Sequence, residues 1–191
     1  IVTKYKPEKL NYLIKEKKSQ ITTTDIIQIF KSNKRVLYLL FEKGMIVADD
    51  TILNILFSLK DKNDFYIHHY LFPVIKQFIQ NEQTKESIQS KILNEYDDTI
   101  ESFTEKCQIG ENDSFLCSLI RQDSVEDFVT YTNRKNLSLE ATIKPSLFET
   151  NSLLIKNKTS LIEYAAFFGS IQIFQYLVFN QVEESSSLWK F

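Results

Sequence analysis

Apolar residues recur at spacings of three and four along most of the chain, which is the period of an amphipathic helix. Alternation with a period of two, which a half-buried strand requires, is rare, and the hairpin dipeptide Asn-Gly is absent from the sequence. The longest helical pattern runs from Thr84 to about Gln108, with apolar positions at Ile88, Ile92, Leu93, Tyr96, Ile100 and Phe103. The pattern therefore predicts an all-α fold with one long helix in the middle of the chain.

Capping residues, prolines and glycines predict where the shorter helices begin and end. The Thr22–Asp25 cluster and the pair Asp49 and Asp50 supply capping side chains and first-turn acids for two helices. Pro73 is expected to end one aromatic-rich helix and to open the next. We place the main boundary at Gly110, between a less regular helical region (residues 1–110) and a second region (residues 111–191).

Two stretches of the second region repeat each other at an offset of 46 residues. Ser114–Tyr131 aligns with Ser160–Leu177, and identical serines or phenylalanines occupy several of the aligned positions. Each copy is expected to form two short helices joined by a tight turn. Because one such helical hairpin cannot bury its own apolar face, hairpins of this kind stack on one another.

The second copy, residues 160–177, resembles an ankyrin repeat. Ala165, Ala166 and Gly169 match the Ala-Ala-x-x-Gly of the ankyrin pattern, whereas Glu163 stands where that pattern has a histidine. Small alanines allow neighbouring helices to approach, and the glycine lets the chain reverse without a Cβ penalty. The resemblance implies a divergent ankyrin-like solenoid of helical hairpins.

A narrower resemblance covers most of residues 20–191. Residues 110–126, 148–152 and 161–172 are similar to a large protist family in which a helical domain of unknown function accompanies ankyrin repeats. Val36–Gly44 also resembles the second helix and terminal glycine of a repeat. Because stacked helical hairpins build an extended surface that suits binding, we expect a scaffold that binds another protein and carries out no catalysis of its own.

The last residues of the sequence repeat the start of the ankyrin-like unit. Ser187–Phe191 follows the order Ser-Leu-apolar-charged-aromatic that is also found at Ser160–Tyr164. Trp189 and Phe191 would then belong to the core of a helix that is missing. We therefore expect the chain to be a fragment of a longer array, with its last repeat truncated.

Composition and charge exclude several other classes of protein. The 191 residues include 3 Gly and 2 Cys, which leaves no Gly-rich phosphate loop and no disulfide framework. A net charge of −2 with only three arginines disfavours a nucleic-acid partner. The longest apolar run, Val36–Phe41, is far shorter than the ~20 residues of a membrane span. We expect an intracellular, cytoplasmic chain with no membrane span.

Residues that could carry chemistry are few. His68 and His69 are adjacent, so they face different sides of a helix and form no chelating pair; we expect an amphipathic spacer there. Cys107 and Cys117 lack the further ligands of a zinc site and a nearby base, and we expect buried or ordinary thiols. The sequence thus predicts no enzyme, no cofactor and no metal.

The first residues of the chain are locally basic. Pro7 is expected to open a helix there, and we predict that its lysines form a solvated face. Contact with an acidic partner or an anionic membrane surface is the alternative. The lysines concerned are Lys4, Lys6, Lys9, Lys15, Lys17 and Lys18.

The candidate binding residues lie in the ankyrin-like unit. Phe167 and Phe168 fill two positions that ankyrin repeats usually give to polar residues, and we tie them, with Glu163, to protein binding. Alternatively, both rings pack under the segment 137–158. The predicted function is a protein–protein interaction module whose partner is unidentified. The alternative is a docking or regulatory region of a larger protein that carries an enzymatic or effector domain.

Overall fold

The computed structural model describes residues 22–156 and 158–183, and this part of the chain is helical without any strand. The prediction of an all-α fold is confirmed. The N-terminal lysines, Pro7, Trp189 and Phe191 lie outside the described residues. The helices are α1 (Thr23–Phe30), α2 (Lys34–Glu42), α3 (Asp50–Ser58), α4 (Ile67–Ile75), α5 (Glu82–Tyr96), α6 (Ile100–Ile109), α7 (Phe115–Arg121), α8 (Val125–Lys135), α9 (Ser152–Lys156), α10 (Leu161–Phe168) and α11 (Ile171–Phe179).

Side-chain caps fix the starts of most of these helices. Thr22 and Asp25 form a capping box at the start of α1, and Asp49 accepts a hydrogen bond from the Ile52 amide at the start of α3. Both starts were predicted from the sequence. Each cap satisfies an amide that has no partner within its own helix, a gain of about 1 kcal/mol.

The single long helix predicted over residues 84–108 is wrong, because two helices occupy this stretch. α5 ends at Tyr96, Asp97 takes a left-handed conformation with φ 47°, and Thr99 caps α6. Short acidic and hydroxyl side chains bond nearby backbone groups, and aspartate also tolerates left-handed geometry, so this cluster interrupts a helix. The apolar period continues across the break, which hides it from a periodicity argument.

Pro73 does not separate two helices as predicted, because it lies inside α4. A proline in a helix removes one amide donor, and here the helix ends only two residues later at Ile75. A short 3₁₀ turn, Lys76–Phe78, follows directly. The proline therefore shortens the helix without preventing it.

Helix α4 is the centre of the first region. It packs against α2, α3, α5 and α6, and eight of its side chains are buried, among them His68 and His69. The expectation that the two histidines form an amphipathic spacer is wrong, because neighbouring helices surround α4. In a stacked array, by contrast, each unit contacts only the next one.

The apolar core consists of two clusters. The first gathers side chains between Ile27 and Cys107, and the second gathers those between Cys117 and Val182. Leu147 and Phe148 come from the later part of the chain but belong to the first cluster, where Phe148 lies 5.1 Å from Phe103, ring centre to ring centre. The division at Gly110 stays a prediction.

Gly110 is the point where the later loop returns to the first region. Its φ is +73°, and a Cβ atom there would lie 3.1 Å from the Thr150 hydroxyl oxygen. Both the amide and the hydroxyl of Thr150 donate to the Gly110 carbonyl, at 3.2 and 2.7 Å. A glycine is needed because of both the backbone conformation and this close approach.

Two helical hairpins form the C-terminal part of the described chain. α7 packs on α8, α10 packs on α11, and the first hairpin packs against the second through α7 with α10 and α8 with α11. Each hairpin turns through one residue with positive φ, Asp123 at 51° and Gly169 at 71°. The two predicted repeat copies therefore have the same local geometry.

Polar bonds hold the second hairpin to the first. The Asp123 carboxylate accepts from the amides of Gln172 and Ile173, both at 3.0 Å, and so caps α11 from the neighbouring hairpin. The Ser170 hydroxyl donates to the Ile120 carbonyl at 2.5 Å. Since Ser170 makes no side-chain cap of its own, α11 depends on the first hairpin for its capped start.

Candidate functional site

The three predicted binding residues lie on α10, but they differ in exposure. Glu163 is only 4% exposed, and its carboxylate accepts from the Ser160 amide at 2.8 Å and from the Ser160 hydroxyl at 3.1 Å. Together the two residues form a capping box. The structure therefore gives Glu163 a place at the helix start, and its role in partner binding stays a prediction.

Phe167 and Phe168 are half-buried at the end of α10. Their ring centres are 4.9 Å apart, and Phe168 lies 4.7 Å from the Tyr164 ring. Both pack against the second apolar cluster while keeping part of each ring exposed. Both side chains are neither fully buried nor fully exposed, so their role in partner binding stays a prediction.

Arg121 organises the polar contacts next to these rings. Its Nη1 donates to the Asn112 carbonyl and to the Tyr164 hydroxyl, both at 2.8 Å, and its Nε lies 2.9 Å from a Glu111 carboxylate oxygen. The guanidinium carbon is also 5.9 Å from the centre of the Phe168 ring. Burial raises the pKa of Tyr164, so its hydroxyl remains protonated.

Sequence reasoning did not single out Arg121. One signal was available, since the chain has very few arginines and this one ends a short helix. A guanidinium has five donors in a rigid fork, which suits a residue that must join several chain segments.

The outward side of α11 carries a bare apolar surface. Ile171 is 65% exposed, Phe179 is 87% exposed, and Val178 is also exposed. We call these three residues the α11 face. At the positions of α8 that match Ile171 and Val178 in the repeat, Val125 is partly buried and Thr132 is buried, whereas Asn133, which matches Phe179, is exposed. The second hairpin covers α8, and no described residue covers the matching side of α11.

The two cysteines and the two histidines that were considered for chemistry are buried. Cys107 and Cys117 are buried unpaired thiols, as predicted, and burial raises the pKa of both. Burial lowers the pKa of His68 to about 4, so the ring is neutral at pH 7, and its Nδ1 has no hydrogen-bond partner among the described residues. His69 places Nδ1 3.5 Å from a Glu95 carboxylate oxygen.

Two further findings concern the described residues as a whole. Within residues 22–156 and 158–183, no three His, Cys, Asp or Glu side chains are grouped so that they could hold a metal ion. In the same part of the chain, no helix has the length and apolar character to cross a membrane.

No family model, curated protein or solved structure matches this chain. The likeness to ankyrin repeats therefore depends on the residues of 160–177, and family membership stays a prediction.

Proposed function

We propose that this chain is a non-catalytic protein-interaction module in which helical hairpins stack in a divergent ankyrin-like solenoid. The observation that carries the proposal is the α11 face, where Ile171 and Val178 are exposed although their counterparts in α8 are partly or fully covered, and where Phe179 adds a further exposed ring. A surface that buries a hairpin at one position of a stack has the shape and polarity to accept helices at the next. The expected partner is a helical segment of another protein with an apolar side of its own.

The exposed side chains supply enough binding free energy to make the surface a credible anchor. Burying a phenylalanine or isoleucine side chain contributes about 1.5–3 kcal/mol. Discounted for the part already covered, Ile171 and Phe179 together contribute about 3 kcal/mol. That corresponds to roughly a hundredfold in affinity.

The test compares two sets of variants in quantitative pull-downs from cell extract, with mass-spectrometric readout. Ile171→Ser with Phe179→Ser removes the α11 face. Ile29→Ser with Val47→Ser is the matched control, because these apolar residues are similarly exposed, at 63% and 62%, on the first region. We expect bound proteins to disappear with the first pair and to remain with the second.

Equal recovery of the same proteins with both pairs would contradict the proposal. Phe167→Ala, tested in parallel, measures whether the half-buried ring contributes to the same surface. If the alternative is correct and the chain docks a domain of its own larger protein, the α11-face variant of the longer protein will gain partners instead of losing them.

A further inference from the structure

A cavity of about 520 Å³ opens between the first region and helix α9, and none of the α11-face residues lines it. Three segments enclose it: the turn between α1 and α2, the loop between α3 and α4, and helix α9. Four lysines line this cavity with a single carboxylate, namely Lys31, Lys34, Lys60, Lys62 and Asp61. We call it the lysine cavity.

Lys34 is the buried cation of the lysine cavity. Its side chain is 4% exposed, and its Nζ donates to Asp61 Oδ2 at 3.0 Å. An ammonium has three N–H donors, and Asp61 is its sole hydrogen-bond acceptor among the described residues. Burial lowers the pKa of Lys34, against the opposing effect of Asp61. A buried ammonium with donors to spare is suited to bind an anion entering the cavity.

The other lysines add positive charge at the mouth of the lysine cavity. Lys31, Lys60 and Lys62 are exposed, and Lys60 is paired with Asp64, which lies outside the lining, at 2.8 Å. The lining holds four lysines and one aspartate, and two positive charges remain once Lys34 is paired with Asp61 and Lys60 with Asp64, while the whole chain has a net charge of −2. The local excess of positive charge therefore selects an anion.

The loop that carries two of these lysines is held in place. Asp61 Oδ1 accepts from the amides of Asn63 and Phe65 at 2.9 and 3.1 Å. The Ile67 amide donates to the Leu59 carbonyl at 3.0 Å and so closes the base of the loop. Because the loop is ordered by its own bonds, a ligand does not bear the entropic cost of ordering it.

Part of the wall of the lysine cavity is aliphatic. Leu59, Ile67 and Ile155 belong to the lining, which otherwise consists of polar and charged residues, so the lining combines cations with an aliphatic surface. A free inorganic anion would use the charge and leave the aliphatic wall in contact with water. A ligand with an anionic group next to an apolar body would use both parts.

We propose that the lysine cavity binds a small organic phosphate, with the phosphate on the lysines and the apolar body on the aliphatic wall. A phosphate monoester suits the lining better than a carboxylate, because Lys31 and Lys62 keep their charges after Asp61 pairs with Lys34 and Asp64 pairs with Lys60. Lysine is a common phosphate ligand that acts as a point charge. The volume lies within the range of small-molecule sites, about 300–1,000 Å³. This site is independent of the α11 face.

The test uses phenyl phosphate as the probe. Its binding to the full 191-residue chain is measured by calorimetry and by NMR of the lysine side chains. Lys31→Ala with Lys62→Ala removes two cavity lysines, whereas the exposed Lys76→Ala with Lys135→Ala removes the same charge elsewhere. We expect the cavity pair to weaken binding about tenfold and the control pair to leave it within about twofold.

Ligand controls separate the two halves of the proposed site. Benzyl alcohol, which lacks the anion, and inorganic phosphate, which lacks the apolar body, should each bind about tenfold more weakly than phenyl phosphate. Lack of saturation by phenyl phosphate at about 10 mM would overturn the proposal. Equal weakening by both lysine pairs, or tighter binding of a phosphoserine peptide than of phenyl phosphate, would also overturn it.

Discussion

Removing the negative charge of Asp61, the counterion of Lys34, tests how much this buried ion pair contributes to the stability of the first region. Asp61→Asn keeps the side-chain shape and an oxygen that can still accept from the Asn63 and Phe65 amides. The substitution therefore isolates the negative charge. Lys34 is 4% exposed and would be left as an unpaired buried ammonium, a change that typically costs about 3–5 kcal/mol.

The stability lost in Asp61→Asn has an upper limit, because the unpaired Lys34 can release its proton. A free lysine has a pKa near 10.4, so losing its proton at pH 7 costs about 5 kcal/mol, and Lys34 has this option in the variant. We therefore expect Asp61→Asn to lower the free energy of unfolding by about 3 kcal/mol at pH 7. Lys34→Met is the control, because it removes the buried charge while keeping the aliphatic stem. It should cost about 1 kcal/mol, since Asp61 keeps two backbone donors.

The assay is urea unfolding followed by circular dichroism, at pH 7 and again near pH 9.5. In Asp61→Asn the folded pKa of Lys34 falls further below the unfolded value, so the unfolded state holds more protons between the two. The free energy of unfolding of the variant should therefore rise with pH and approach that of the parent chain. The reasoning would be refuted if Lys34→Met lowered the free energy of unfolding as much as Asp61→Asn does. It would also be refuted if the difference in this free energy between Asp61→Asn and the parent chain did not narrow as the pH rises.

Three further predictions concern polar groups in and between the clusters. The folded pKa of His68, about 4, lies below the unfolded 6.5, so the free energy of unfolding should fall by roughly 1–2 kcal/mol, allowing for partial screening, as pH drops through this window. Urea titrations at several pH values should show this loss, and His68→Gln should reduce it. If the parent chain and His68→Gln gave identical pH profiles of the free energy of unfolding, His68 would not be the cause of the loss. Arg121→Lys should cost about 1.5 kcal/mol in thermal unfolding because it breaks the fork to the Tyr164 hydroxyl, whereas exposed Arg134→Lys should stay within about 0.5 kcal/mol. Asp123→Gly keeps the positive φ but removes the cap of α11, and should cost about 1 kcal/mol more than Asp123→Asn in urea unfolding.

Local signals in the sequence were sufficient for much of the secondary structure. The caps at Thr22 and Asp49 act within one helical turn, so the sequence alone reveals them. The break at Asp97 was missed because apolar periodicity reports which side of a helix is buried. Two helices that pack on the same cluster can keep that period while the backbone turns between them.

Tertiary placement required information that the local sequence lacks. His68 and His69 were expected to form an amphipathic spacer, and they are buried because four other helices surround α4. The pairing of Lys34 with Asp61 joins residues 27 positions apart. The exposure of Phe179 likewise depends on which neighbours are present. The burial of the histidines, this ion pair and the exposure of Phe179 depend on packing between distant parts of the chain. No local residue pattern predicts them.

Leu147 and Phe148 give the first cluster a late closing step. Protein synthesis is directional, and domains generally fold from the N-terminus as the chain emerges. The first cluster needs these two side chains, which are made about 40 residues after Cys107, its last other member. A nascent chain that has released α1 to α6 thus still exposes the Phe103 and Tyr96 rings that Phe148 will cover. For this chain, the first cluster is therefore completed only after α7 and α8 have been synthesised.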